Sequence, residues 1–192
     1  MNKPKIVLVL GQSASGKSTI IEEMEWYGYK AIQSYTTRAE RTKNEKGHIF
    51  VREKDYTFIR DDKTNEIKIY DKLGNEVDTV AYTYFNGNHY WATMNQVEES
   101  TYYIIDKAGV DYFANKVESR VDYKIVYVTV PFFTRVKRLI KRDGLVKGIS
   151  RLINDFKMFR GVKYDTKIVN RDLENSVQEL REITEEFIKE KM

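Results

Sequence analysis

Apolar and polar positions follow two different rhythms along this chain. Ile6-Val7-Leu8-Val9-Leu10 is an uninterrupted apolar run, the pattern of a strand covered on both faces. Ile20, Ile21 and Met24 then recur at helical spacing within Lys17 to Tyr27, and Ala31 to Thr36 predicts a second short strand. From about Thr37 to Asn95 the chain becomes polar, aromatic-rich and punctuated by turns. Glu66 to Tyr70 and Val77 to Phe85 alternate as strands, and Leu73-Gly74-Asn75 predicts a hairpin joining them. A second turn, Asn86-Gly87-Asn88, leads to His89-Tyr90-Trp91.

Helical and buried-strand patterns then return. Gln96 to Glu99 starts a short helix, while Tyr102 to Ile105 and Lys124 to Val130 read as buried strands. Phe133 to Ile140 and Ile149 to Arg160 predict helices around Asp143-Gly144, and Thr166 to Asn170 a last strand. Leu173, Val177, Leu180, Ile183 and Phe187 form one closing helical stripe. No internal repeat or linker interrupts the pattern. Strands alternating with helices predict an α/β domain: a mostly parallel sheet, helices on both faces, and one inserted β-rich lobe.

Gly11-Gln12-Ser13-Ala14-Ser15-Gly16-Lys17-Ser18 matches GxxxxGK[ST] in full, directly after a buried strand and opening a helix. That context separates a phosphate-binding loop from an ordinary glycine-rich turn. Backbone N–H groups and the positive helix end would face phosphates. Gly11, Ser13, Ala14, Ser15, Gly16, Lys17, Ser18 and Thr19 are therefore candidate ATP contacts. Lys17 would bridge the β- and γ-phosphates, and Ser18 would ligate Mg²⁺.

Charge narrows the picture further. The 192 residues hold 33 Lys and Arg, 29 Asp and Glu and no Cys, a net charge of +4. Without Cys there is no disulfide scaffold, thiolate zinc site or cysteine nucleophile, and a reducing, cytoplasmic compartment is expected. No apolar run is long enough for a signal segment or a membrane span. From Phe132 to Lys163, ten basic residues face only Asp143 and Asp155, a net of +8, so the remainder carries −4. Such a run is either a solvated helical face or a surface that meets phosphates. Arg38 and Arg41, three apart beside Ser34, Thr36 and Thr37, suit a fork on a phosphate monoester, although surface arginines have the same spacing.

With these residues in view, the chain resembles the guanylate kinase family nearly end to end. The resemblance rests on the phosphate loop, on Ser34-Tyr35-Thr36-Thr37-Arg38 with Arg41, on His48-Ile49-Phe50-Val51 and on Gly87-Asn88-His89-Tyr90. It continues through Asp106-Lys107-Ala108-Gly109, Arg138-Leu139-Ile140-Lys141-Arg142-Asp143-Gly144 and Val169-Asn170-Arg171-Asp172-Leu173-Glu174. It implies a three-layer P-loop NTPase fold with core segments 1–32, 96–137 and 161–192, an acceptor-binding lobe 33–95 and a helical lid 138–160. It further implies ATP and Mg²⁺ as cofactors and a nucleoside monophosphate, GMP or dGMP, as acceptor. Lys17, Arg38, Arg142 and Arg151 would be catalytic, Asn170 would lie near the adenine, and Ser34, Arg38, Arg41, His48, Tyr90 and Asp106 would meet the acceptor. A monomer or homodimer is expected, with no nucleic acid or membrane as partner.

The departures cluster in the acceptor lobe. Ala81 stands where the family carries its guanine-reading carboxylate, Trp91-Ala92-Thr93 replaces Gly-Thr-Ser, Ile104 replaces an acidic residue, and His48 replaces a tyrosine. Three accounts stay open: Glu76 or Asp78 supplies the carboxylate by a shifted alignment; Tyr82, Tyr84 and Trp91 stack on another base; or the acceptor is a sugar phosphate such as ribose bisphosphate. The histidines also suit plain surface roles, the tyrosines core packing, and Asp106 a strand-end cap. A non-catalytic binding module of the same fold is another alternative, against which the intact loop argues, and a nucleic-acid module resting only on the basic segment is a third.

Overall fold

The computed structural model describes residues 3–117 and 119–190. In chain order the elements are β1 (Lys5–Leu10), α1 (Lys17–Trp26), β2 (Ser34–Thr36), β3 (His48–Phe50), β4 (Tyr56–Arg60), β5 (Ile67–Asp71), β6 (Thr79–Phe85) and β7 (Asn88–Thr93). They continue as α2 (Met94–Glu99), β8 (Tyr102–Ile104), α3 (Lys107–Val117), β9 (Asp122–Thr129), α4 (Phe132–Asp143), α5 (Leu145–Met158), β10 (Thr166–Val169) and α6 (Leu173–Lys189). The central sheet runs β10-β9-β1-β8, every pairing parallel.

The apolar run of β1 is explained by its place. Ile6, Leu8 and Leu10 enter one core with Val97 of α2 and Val110, Phe113 and Val117 of α3. Val7 and Val9 enter the opposite core with Ile20, Ile21 and Met24 of α1 and Val177, Leu180 and Phe187 of α6. Both faces of the strand are thus covered from Ile6 to Leu10, and none of these five positions tolerates a polar side chain. A polar pair between β8 and α6 is satisfied internally: the Tyr102 hydroxyl donates to Thr184 Oγ1 at 2.7 Å. Among the described residues no helix is long and apolar enough to cross a membrane.

The inserted lobe carries a second sheet, β3-β2-β7-β6, and a separate two-stranded β4-β5 ribbon. Here the sequence expectation needs correction. The Leu73-Gly74-Asn75 turn forms, with the Gly74 N–H on the Asp71 carbonyl at 2.9 Å. It closes only a short reverse ladder, with the Asp71 N–H on the Asn75 carbonyl and the Val77 N–H on the Ile69 carbonyl around the Tyr70–Glu76 pair, and this pairing stops before β6. β5 pairs instead with the unpredicted β4, through a turn closed by the Asp61 carboxylate on the N–H groups of Lys63 and Thr64 and by Asn65 at φ 61°. β6 pairs with β7. The predicted strand from Ala31 begins only at Ser34, apart from one bridge between Ala31 and Tyr102. α3 was also unmarked; Asp106 opens it by accepting from the Gly109 N–H at 2.7 Å.

Trp91 holds the lobe together. It is 1% exposed, stacks on Tyr35 at 5.4 Å and receives the ring edges of Tyr56 and Phe58 at 4.9 and 5.6 Å. It is a packing residue with no face left for a ligand base. The segment expected to act as a lid is a helical pair, α4 and α5, joined at Gly144 with φ 78°. α4 starts at Phe132, so the expected lid boundary at 138 falls inside a continuous helix. Gly148 lets α5 approach closely, since a Cβ there would lie 3.3 Å from the Ile140 nitrogen. Trp91→Ala should lower stability by about 3–5 kcal/mol, measured by urea unfolding, because it empties the centre of four packed rings.

Candidate active site

The phosphate loop leaves the C-terminal end of β1 and turns into α1 at Gly16, whose φ of 96° is left-handed. Ala14 also takes a left-handed conformation, at φ 60°. Both bounding glycines are sterically required. A Cβ on Gly11 would collide with the Val128 carbonyl oxygen of β9, and one on Gly16 with the Asn170 side-chain amide. Asn170 itself is buried beyond the end of β10. It donates through Nδ2 to the Ser15 carbonyl at 2.9 Å, accepts from the Ser176 hydroxyl at 3.3 Å, and bonds the Thr129 carbonyl through its own N–H. Its amide braces the loop.

The loop is built for an anion. Ser15 Oγ is buried without a hydrogen-bond partner. The Lys17 ammonium turns back onto the carbonyls of Gly11 and Gln12 at 2.6 and 3.1 Å. Burial pushes its pKa down from 10.5 to about 8, with Asp155 pulling upward and Arg142 adding to the fall. Asp155 offsets only part of that desolvation, since the pKa still falls, and a polyphosphate would supply further counter-charge.

The lid supplies the opposite wall. A cavity of about 540 Å³ is lined by Ser13, Ala14, Gly16, Lys17, Ser18 and Thr19 from the loop, Arg138, Arg142 and Arg151 from the lid, and Asn170 with Leu173. Arg142 and Arg151 arrive as the sequence predicts, and Arg138 joins them, with its guanidinium 3.5 Å from the Ala14 carbonyl. Arg142 holds Asp143 with two bonds of 3.1 and 2.9 Å, and Arg151 pairs with the same carboxylate at 3.2 Å. The Arg142 contact keeps the Asp143 carboxyl below its usual range. Asp143 thus holds both arginines beside the cavity. Among the described residues no three His, Cys, Asp or Glu side chains group to hold a metal ion. A divalent cation here would rely on Ser18 and on phosphate oxygens, an arrangement that suits Mg²⁺.

The predicted acceptor residues separate into two groups. His48, Tyr90 and Asp106 line a second cavity of about 380 Å³ with Ala81, Tyr82, Ile104 and Met158. Ser34 and His48 line a third, of about 260 Å³, which Ser18 also touches. Shared residues therefore connect the phosphate loop to the lobe. Burial, and then Arg38, lower the pKa of His48, whose Nδ1 is buried and unpartnered. The Ser34 hydroxyl donates to Tyr103 at 3.3 Å, and burial pushes the Tyr103 hydroxyl up to about 12. Arg38 and Arg41 line neither cavity. The Arg38 guanidinium grips Glu45 with two bonds of 3.1 and 2.8 Å and lies over the Phe50 ring. Glu45 also accepts from the Arg41 N–H, and these contacts hold its carboxyl down to about 2. Asp78 is ion-paired with Arg120 and Glu76 is exposed, so neither supplies a carboxylate to the second cavity.

Asp155 escaped the sequence reading, where it counted only as a minor offset to a basic run. It faces the loop from α5 and is 7% exposed. Its place in an inward stripe with Gly148, Leu152 and Phe159 was the available signal.

Because the Lys17 ammonium is lost as pH rises through about 8, affinity for a nucleoside triphosphate should be highest below that value. It should weaken about tenfold between pH 7 and pH 9 as the charged fraction shrinks. Calorimetric titration with a non-hydrolysable ATP analogue and Mg²⁺ measures this, and a flat profile would put the binding charge elsewhere.

No protein-family model matches the chain, and no curated protein does so at a significant level. Among solved structures, a guanylate kinase from Anaplasma phagocytophilum is similar over 99% of this chain and 89% of its own, with a TM-score of 0.55 and 18% identity. A gluconokinase from Sinorhizobium meliloti 1021 aligns over 98% of each chain, with a TM-score of 0.45 and 13% identity. The first likeness covers nearly the whole molecule and shows that the chain shares the α/β fold of that solved structure.

Proposed function

We propose that this protein transfers the γ-phosphoryl group of ATP to a nucleoside monophosphate. The observation that carries the reading is the convergence of an intact phosphate loop and three lid arginines on one cavity of about 540 Å³. Phosphoryl transfer needs alignment and charge stabilisation more than covalent chemistry. Loop N–H groups and Lys17 hold the ATP phosphates. Arg142 and Arg151 exchange Asp143 for the migrating phosphoryl group, whose charge spreads in the transition state. Ser18 would hold a Mg²⁺ ion, which would supply counter-charge to the phosphates. The lid keeps water from competing as acceptor. The basic segment is thereby used on phosphates, and the reading needs neither nucleic acid nor membrane as partner.

On the acceptor side, Ser34, His48 and Tyr90 flank the path from the loop into the lobe, and Arg38 and Arg41 lie behind them with Glu45. GMP or dGMP is the acceptor that the sequence resemblance favours. A second reading, another nucleotide or deoxynucleotide or a sugar phosphate, is favoured by the lining of the second cavity. Ala81 and Ile104 are apolar there, and Asp106, its one carboxylate, is already engaged at the start of α3. A site without a carboxylate for guanine's N–H groups gives up most of the discrimination that hydrogen bonding provides.

Purified protein with Mg-ATP, offered each ribo- and deoxynucleoside monophosphate and ribose bisphosphate, should form ADP with at least one acceptor. Turnover with none would sink the kinase reading, and turnover only with non-guanine acceptors would select the second one. Lys17→Ala and Arg142→Ala should each reduce kcat by about 100-fold or more, since both meet charge that develops in the transition state. If Arg142→Ala changed only thermal stability, the lid assignment would fail.

A further inference from the structure

The lid meets the phosphate loop through a carboxylate. Asp155 Oδ2 accepts from the Ser13 backbone N–H at 2.8 Å, and Oδ1 from the Ser13 hydroxyl at 3.2 Å. These residues are 142 positions apart in sequence, so the contact is tertiary and joins two separately folded elements. The carboxylate is almost wholly buried, and burying a charge is costly unless specific partners compensate. Here the hydrogen-bond partners are a loop N–H and a hydroxyl, and the positive charge of Lys17 acts on the carboxylate electrostatically.

Its position on α5 explains the arrangement. Arg151 and Asp155 are four residues apart, hence on one helix face and one turn from each other. Asp155 does not line the phosphate cavity, whereas Arg151 does. The carboxylate therefore does not occupy the space that phosphates would take; it seats the helix at the cavity's edge. One turn toward the start of α5, Arg151 then stands over the cavity, where Asp143 links it to Arg142.

We propose that Asp155 is a positioning residue that docks the lid helix onto the phosphate loop and so sets Arg151 and Arg142 for phosphoryl transfer before any nucleotide binds. This role in transfer rests on the kinase reading above; the docking itself does not. The lid is pre-organised, so the arginines need not be gathered by the nucleotide at an entropic cost.

Asp155→Ala removes the dock. Asp155→Asn keeps its shape, because an amide oxygen still accepts the Ser13 N–H and the amide N–H₂ can donate to the Ser13 hydroxyl. In the full chain, which has no Cys, Trp26→Cys and Val146→Cys introduce two exposed labelling sites, one on α1 and one on α5. Spin-label distances measured without nucleotide should give one narrow distribution in the Asp155 parent and in the Asn variant, and a broad one in the Ala variant. In unlabelled protein, Asp155→Ala should lower kcat at least about tenfold, leave the acceptor KM within about twofold, and raise the share of ATP lost to water. Asp155→Asn should restore most of the transfer. A narrow distribution in the Ala variant overturns the docking. Unchanged kcat and hydrolysis share, or losses matched by an equal loss of folded protein on thermal unfolding, overturn the positioning role. Should the parent phosphorylate no acceptor, the kinase reading and this role in transfer fall together, while the distance measurement still decides the docking.

Discussion

A loop that offers N–H groups to an anion can spend few of them on itself, here one bond from the Ser15 N–H to the Gln12 carbonyl, so its shape must largely be imposed from outside. This requirement organises the molecule. β1 delivers the loop from a strand buried on both faces, and β9 presses against Gly11 through the Val128 carbonyl. Asn170, carried to the spot at the end of β10, ties down Ser15 and is itself steadied by Ser176 of α6. Asp155 binds Ser13 from the lid. The brace therefore comes from three places far apart in the chain, and the loop is rigid only in the assembled fold.

The acceptor lobe solves a different problem with different materials. It has no parallel core of aliphatic side chains, and instead gathers Tyr35, Tyr56, Phe58 and Trp91 into one aromatic centre. At its margin His89 stacks on Phe58 and meets the Tyr82 hydroxyl at 2.8 Å. The lobe is rooted in the main domain because Val80, Ala81 and Ala92 share a cluster with Leu8 and Phe113. Arg38 is held there by Glu45, with two bonds of 3.1 and 2.8 Å that fix its guanidinium over the Phe50 ring.

The sequence was most informative where one residue has one task. The phosphate loop was legible because its spacing sits between a both-faces-apolar strand and a helical stripe, and the lid arginines because charge accumulates there. It was least informative where a residue's partner lies far along the chain. Trp91 could equally have been a platform for a base until its neighbours from β2, β4 and the start of β4's ribbon were known. Nothing in Glu45 announces that it will bind Arg38. The turn at Gly74 was correctly read as a turn, yet strand pairing followed the Asp61 to Asn65 turn, whose side-chain bonds close β4 onto β5. α3 was hidden because its buried face is short and begins at a glycine.

The joint at Gly144 has a consequence for how the site meets charge. α4 is anchored by Leu139 and Arg135, both buried, and Arg138 and Arg142 ride on this anchored helix. Arg151 rides on α5, beyond the joint. A rotation about Gly144 would thus leave two cations standing at the mouth of the cavity and carry the third away. The molecule thus separates two cations fixed by a buried helix from a third whose place depends on the Asp155 contact with Ser13, with one backbone residue marking the border between them.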